Sequence, residues 1–243
     1  MAQNIYDTPE FFEGYSQLSR SVHGLDGAAE WQSIRALLPD LSGKRIVDLG
    51  CGFGWFCRFA MAQGAASVLG LDISENMIAR ARAETSDAAV AYEIADLEHL
   101  RLPEEAFDFA YSSLAFHYIE DFGKLVATIH RALVPGADFV FTIEHPIYMA
   151  PSNPEWTIDG QGRRVWPLDH YSVEGSRRTD WLAKGVVKQH RTIGTTLNSL
   201  IAAGFTVRHV EEWRPTADQL LQNPGWEEEL DRPMFLLIAV QRS

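Results

Sequence analysis

The chain lacks the features that mark several large protein classes. Nowhere among its 243 residues is there an apolar run near the roughly 20 residues a membrane span needs. Positive charge is scarce: 21 lysines and arginines stand against 33 aspartates and glutamates, a formal net charge of −12. Phosphate backbones call for a basic face, so no nucleic-acid partner is expected. Cysteine is nearly missing. Cys51 and Cys57 form no CxxC pair and have no histidine beside them in sequence, so no metal site is expected. Two reduced, packed thiols suit a cytoplasmic protein. The opening MAQNIYDTPEFFEGYSQ has neither the basic start nor the apolar run of a signal peptide, which points to the same compartment. There are no repeats and no low-complexity tracts. What is present is an ordinary globular composition, 46% hydrophobic and 22% charged, on a chain long enough to bury a core without staples.

The hydrophobic pattern predicts helix over residues 8–40, with Thr8 as N-cap and Pro9 at the first helical position. Trp31, Ile34, Leu37 and Leu38 share one face there. Five strands then alternate with helices: KRIVDLG, SVLGLDI, AVAYEIAD, FDFAYSSL and ADFVFTIE. Ser74 is the expected N-cap of ENMIARARAE. Gly64 closes the first crossover helix, and Pro135-Gly136 ends the helix that begins DFGKLV. Parallel strands need crossovers, usually helical, so residues 44–144 predict an α/β doubly wound parallel sheet with helices on both faces. From His145 to His190 periodicity is lost, and this stretch is read as an insert after strand five. TIGTTLNSLIAAGF is a helix, and FTVRHVEEW and RPMFLLIAVQR are two further strands.

In such sheets ligands bind at the carboxyl ends of the strands. DLGCGFGW follows strand one. Its glycines fit GxGxG rather than the dinucleotide GxGxxG, with Trp55 where close helix packing requires glycine. No GK[ST] follows, so a P-loop is excluded. Asp48 beside the glycines would repel a pyrophosphate. It suits a ligand with positive charge, whose carboxylate meets the backbone N–H groups at the helix start. S-adenosyl-L-methionine has both. Asp72 ends strand two, where a carboxylate can accept from a ribose diol. Asp96 ends strand three, placed for an adenine amine with Leu97 against the ring; as an isolated residue it reads equally as a loop carboxylate or N-cap.

IVDLGCGFG, LGLDISENMIARAR, IADLEHL, FDFAYSSLAFHYIED and LVPGADFVF, in this order and spacing, resemble the motifs of class I S-adenosylmethionine-dependent methyltransferases, most closely the small-molecule group. The resemblance implies a seven-stranded, mostly parallel sheet of order 3-2-1-4-5-7-6 with strand seven antiparallel. It divides the chain into N-terminal helices covering the cofactor (1–43), a methyltransferase core (44–144 and 191–243) and a substrate-recognition insert (145–190). By motif position, Gly50, Cys51 and Gly52 hold the methionine part, Asp72 the ribose, and Asp96 with Leu97 the adenine. Ile73 and Met77 flank the ring, and residues around Ser112 touch the methionine part. In this group the first helices fold over the cofactor, which makes Tyr15 and Arg20 candidates, Arg20 as a bidentate partner of the carboxylate or as a solvent-facing side chain. The product would be S-adenosyl-L-homocysteine.

Methyl transfer draws much of its rate from alignment and needs a base only if the nucleophile must lose a proton. His117 after strand four and Glu144 and His145 after strand five are the candidate catalytic residues. His117 reads alternatively as a residue holding its loop, and His145 as a turn former before Pro146. The insert carries Trp156, Trp166, Tyr171 and Trp181, with six basic and five acidic side chains. That predicts an aromatic flap over a small-molecule acceptor, or aromatic residues packing a loop with little other core. The alternative function is a non-catalytic S-adenosylmethionine-binding regulatory protein on the same fold. A nicotinamide oxidoreductase is disfavoured by Asp48 and Trp55. Protein or nucleic-acid methylation is disfavoured by charge and by SSLAFHY, which stands where an Asn/Asp-Pro-Pro-aromatic motif would be.

Overall fold

The computed structural model describes residues 3–243. Strand β1 (Arg45–Leu49) lies in the interior of the sheet, because Ile46, Val47 and Leu49 are all fully buried and need cover on both faces. It pairs in parallel with β2 (Ser67–Asp72) and β4 (Phe107–Ser113). Outward from these lie β3 (Val90–Ile94) and β5 (Leu133–Glu144), again parallel. The sheet is completed by β11 (Phe235–Arg242), antiparallel to both β5 and β10 (Phe205–Glu212). The full order is β10-β11-β5-β4-β1-β2-β3. Counting only the seven strands of this sheet, that is 3-2-1-4-5-7-6, as the motif order implies.

Two cores lie on the two faces. Helices α3 (Trp31–Leu37), α4 (Trp55–Ala62) and α5 (Glu75–Glu84) cover one, through Trp31, Ile34, Phe56, Ala60 and Ile78. Helices α6 (Phe122–Ala132) and α8 (Ile193–Ala202) cover the other, through Leu125, Ile129 and Leu200. Strand alternation sends Val47 and Leu49 to the second core and Ile46 to the first. Asp48 therefore shares a side with neither Val47 nor Leu49. It comes off the sheet on the α4 side, fully within the fold.

The chain departs from its sequence pattern in three places. The stretch 8–40 is broken into α1 (Pro9–Ser16), α2 (Ser19–Val22) and α3, the first break at the extended Leu18 and the second at Gly24, which turns with φ 64°. Thr8 and Ser74 take their expected N-cap positions, and the Ser74 hydroxyl accepts from Met77 N at 3.1 Å. The helix expected to run to Pro135-Gly136 stops at Ala132, since proline disfavours helix in the residue before it. The Pro135-Gly136 turn is absorbed in β5, where pairing with β4 shifts register after Phe107. The insert is more ordered than its composition suggests. It holds the single turn α7 (Pro146–Met149), a small hairpin of β6 (Thr157–Ile158) and β7 (Arg164–Val165), and a longer hairpin of β8 (Gly175–Trp181) and β9 (Ala183–His190). Val186 on β9 packs with Ile5 and Phe11 in a third apolar cluster, joined by Tyr6, Tyr15, Tyr118 and Trp181. The N-terminal helices and the insert thus form one cover over the carboxyl edge of the sheet. Among the described residues, no helix is long and apolar enough to cross a membrane.

Candidate active site

A cavity of about 410 Å³ opens at that edge. The glycine loop after β1 forms one wall. Gly50, Gly52 and Gly54 all have positive φ (83°, 52° and 73°), a region other residues enter at a cost of roughly 1–2 kcal/mol. A Cβ on Gly50 would strike the Ala115 methyl, whereas one on Gly52 would meet only open space in the cleft. Gly50→Ala is expected to destabilise the fold by about 2–4 kcal/mol, strain and overpacking together, measured as a lower urea midpoint at unchanged m-value.

Three carboxylates border this loop. Asp72 binds it directly: Oδ2 accepts from Gly52 N and Oδ1 from Ser74 N, both at 2.9 Å. Burial pushes this carboxyl up to about 6 despite those two bonds. Asp48 is 2% exposed and its Oδ2 takes one bond, from the Cys57 thiol at 3.3 Å. Burial raises it further, to about 7. Asp96 caps a 3-10 turn over Leu97–His99, accepting from Glu98 N at 3.0 Å. All three line the cavity, with Cys51, Ile73, Met77 and Leu97. Backbone N–H groups, acids at successive strand ends and apolar flanks form a donor set that suits a ligand with a carboxylate, an ammonium, a ribose and an adenine ring.

Residues 3–20 close this half of the cavity. The Asp7 carboxylate accepts from Ser74 Oγ, Glu75 N and Asn76 N at the start of α5, and Asn4 Nδ2 donates to Ile73 O. Gln3 reaches the other way, donating to Gly185 O and accepting from Val187 N on β9. Gly24 lies against the Trp55 ring, close enough that any Cβ there would clash with it. Tyr15 and Arg20 line the cavity. Arg20 is no solvent-facing side chain: its Nη2 donates to both oxygens of the fully buried Glu30 at 3.1 Å.

The far half of the cavity is aromatic, lined by Tyr118, Tyr148, Trp181, Trp213, Trp226 and Phe235. His117 and Glu144 are here. Glu144 N donates to His117 Nδ1 at 3.4 Å, from which the ring proton is assigned to Nε2. Burial, then the charge of Lys188, holds His117 well below its usual pKa. It is a neutral donor. Arg191 fixes its turn by donating to the carbonyls of Phe116 and Ile119, both at 2.5 Å. Glu144 Oε1 accepts from Lys188 Nζ, and Oε2 is buried with no hydrogen-bond partner among the described residues.

Several sequence expectations land elsewhere. His145 does not line the cavity. It is fully buried, caps α7 by accepting from Ile147 N, and donates to Glu212 at 3.0 Å. Ser112 faces away, its hydroxyl given to Leu49 O at 2.6 Å, and strand alternation brings Ser113 to the cavity in its place. Of the four insert aromatics singled out in the sequence, Trp181 lines the site and Trp156, Trp166 and Tyr171 do not. Trp156 and Trp166 pack, with Tyr148, on the Arg232 guanidinium at 4.6–5.3 Å. Tyr171 pins the base of the insert by its edge contact with His190 and by accepting from Ile193 N. Aromatics that line the cavity without any expectation from the sequence include Tyr118, Tyr148, Trp213, Trp226 and Phe235. A signal for two of them exists: β11 runs backwards, so its first residue, Phe235, sits beside Glu144 at the carboxyl end of β5, and Trp213 N bonds Phe235 O at 3.0 Å.

This sheet order and edge cleft define a Rossmann-like, nucleotide-cofactor-binding protein. Residues 47–141 match the family described as methyltransferase domain. A crystal structure of an S-adenosylmethionine-dependent methyltransferase from Mesorhizobium loti is 63% identical, covering 90% of this chain and 100% of that one, with a TM-score of 0.87. A Haemophilus influenzae protein described only as uncharacterized is 35% identical over 98% of this chain and 97% of its own length. Malonyl-[acyl-carrier protein] O-methyltransferase of Hamiltonella defensa is 31% identical, but the match spans only 52% of this chain and 50% of that protein. The chain belongs to the S-adenosylmethionine-dependent methyltransferases, and S-adenosylmethionine is its cofactor.

Proposed function

We propose that the protein methylates a small-molecule acceptor bound in the aromatic half of the cavity. The observation that carries this reading is continuity: the same cavity is lined by the glycine loop and strand-end acids on one side and by His117, Glu144 and Trp213 on the other. When bound, the cofactor supplies a methyl group on a sulfonium, and transfer forms a bond from the acceptor atom to that carbon as the carbon–sulfur pair passes to sulfur.

The chain's own residues divide the remaining work. Gly50, Cys51 and Gly52 offer backbone N–H groups to the methionine carboxylate. Asp48 holds the ammonium and Asp72 the ribose, while Asp96, Leu97, Ile73 and Met77 hold the adenine. Tyr15 packs over the methionine part. Arg20 orders Glu30 and, through its remaining N–H groups, faces the same end. His117, neutral and fixed by its Glu144 N bond, walls the acceptor side of the cavity. Glu144, with its free oxygen, is the group placed to take a proton. Cover by residues 3–20 and the insert hairpin excludes water and holds the reacting atoms in line. The insert contributes Trp181 and Tyr148 to the acceptor wall; Trp156 and Trp166 support it from behind.

Calorimetric titration with S-adenosylmethionine tests the first part, with one-site binding expected. Release of S-adenosylhomocysteine across an acceptor panel tests the second. Absence of binding would sink the whole reading, and binding without turnover of any acceptor would favour a regulatory role on the same fold.

A further inference from the structure

The charges lining the cavity are strongly one-sided. Among the described residues Arg20 is the only lysine or arginine that lines the cavity; its Nη2 is committed to Glu30 and its guanidinium lies 5.6 Å from the centre of the Phe235 ring. Asp48, Asp72 and Asp96 lie at the glycine-loop end. Of the three further lining carboxylates, Glu30 is taken up by Arg20, and Glu144 and Glu229 remain in the aromatic half.

These two are built alike. Each gives one oxygen to a cation that does not itself line the cavity: Glu144 Oε1 to Lys188 Nζ and Glu229 Oε1 to Arg232 Nη2, both at 2.5 Å. In each the second oxygen is buried and has no hydrogen-bond partner among the described residues. Glu229 is 2% exposed. It sits in a 3-10 segment, Pro224–Leu230, that also carries Trp226. Arg232, which orients it, is clamped by Tyr148, Trp156 and Trp166, so the carboxylate is held from behind by three rings. Tyr148 lies between the two acids: burial and then the Glu144 charge, with a smaller contribution from Glu229, push its phenol up to about 12. A buried carboxylate oxygen without a donor is costly, and a second one in the same chamber more so. A ligand that brings N–H groups and positive charge relieves both. The surrounding rings add attraction for a cation through their faces, whereas a carboxylate or phosphate would meet the two unpartnered carboxylate oxygens, with Lys188 and Arg232 behind them and Arg20 held by Glu30.

We infer that the acceptor is a small amine with an apolar or aromatic body, held by Glu229 and Glu144 among Trp213, Trp226, Tyr148 and Phe235, and methylated on nitrogen. This rests on the reading of the cavity as a methyltransferase site. The amine binds as an ammonium and yields one proton to Glu144 Oε2. The free lone pair then forms the nitrogen–carbon bond as the carbon–sulfur pair goes to sulfur. The positive charge passes from sulfur to nitrogen, and Glu229 remains beside it as the counter-charge. An anionic acceptor such as a malonyl group is excluded by the same charges.

The test uses the full chain saturated with S-adenosylhomocysteine and three probes of similar size: phenethylamine, 2-phenylethanol and phenylacetate. Binding is read by calorimetry and by quenching of tryptophan fluorescence. The amine is expected to bind at least about tenfold tighter than the alcohol, and phenylacetate not measurably, as charge-assisted bonds to buried carboxylates require. Glu229→Gln should cost the amine about tenfold or more and leave the alcohol within about twofold. Glu144→Gln should reduce transfer to the amine more than amine binding, which keeps the inference testable if the Glu229 variant does not fold. Equal binding of the three probes, tighter binding of phenylacetate, or no binding of phenethylamine overturns the inference. S-adenosylmethionine affinity of the same sample, measured in parallel, separates that outcome from failure of the methyltransferase reading.

Discussion

Replacing Asp48 with asparagine is expected to raise the melting temperature of the cofactor-free protein at pH 8 by on the order of 5–10 °C, while weakening S-adenosylmethionine binding at least about a hundredfold. The two effects have one cause. Asp48 is buried beside the glycine loop with a single thiol donor, and its carboxyl titrates at about 7 instead of its ordinary 3.8. Keeping it ionised at pH 8 therefore costs the fold about 4 kcal/mol. Asparagine removes the charge but leaves an amide N–H to satisfy, so only part of that is recovered. The sign follows from the raised pKa. The carboxyl's contribution to stability is complete below pH 3.8, declines as pH rises, and is lost above about 7. The stabilisation by Asp48→Asn should thus be largest above pH 7 and shrink toward pH 4. A melting difference that is flat from pH 5 to 8 would show that Asp48 is not the strained group. On the ligand side, losing one partner of a buried charge pair typically costs 2–5 kcal/mol or more, which sets the affinity loss. Scanning calorimetry across pH and isothermal titration measure the two halves separately.

S-adenosylmethionine affinity of the unaltered protein should weaken about a thousandfold between pH 8 and pH 5. Burial raises Asp48 to about 7 and Asp72 to about 6 without cofactor, and the proposed binding mode requires Asp48 ionised beside the ammonium and Asp72 ionised to hold Gly52 N. At pH 5 roughly one molecule in a hundred has Asp48 ionised and one in ten has Asp72 ionised, and linkage multiplies the two penalties. Affinity therefore falls as pH falls, while the stability these two groups contribute without cofactor moves the opposite way. In the Asp48→Asn protein only the Asp72 part, about tenfold, should remain. Fluorescence or calorimetric titrations at pH 5, 6, 7 and 8 measure the slope. A dissociation constant unchanged over that range would show that neither carboxylate changes charge on binding.

Most of the core was legible because each strand announces itself by an apolar run and each ends at the same edge. Asp48, Asp72 and Asp96 were found from that rule, and all three line the cavity. The acceptor half was less legible for the same reason turned around. Trp156, Trp166 and Tyr171 stood out by composition, yet composition does not say which side of a loop faces a ligand. Two of them support Arg232 and the third secures the hairpin base. Trp213 and Phe235 are strand-end residues too, but β11 runs antiparallel, so its start, not its finish, lies at the site. Applying the edge rule with strand direction would have reached them. Glu229 and Trp226 lie in a segment with no periodic signal, and their positions depend on partners, Arg232 for Glu229 and Trp213 for Trp226, that sequence spacing does not encode. His145 shows the opposite case: its place beside Glu144 suggested chemistry, but alternation turns it toward Glu212.

The bonds of residues 3–7 have a kinetic consequence. Gln3 is tied to β9 of the acceptor-side hairpin, and Asn4 and Asp7 are tied to the start of α5 beside the adenosine pocket. Five residues therefore cross from one half of the cavity to the other, bonded at both ends. Displacing this short strap as a whole breaks both sets of bonds, the Gln3 pair to β9 and the Asn4 and Asp7 set to Ile73 and α5, so its opening rate carries the cost of both.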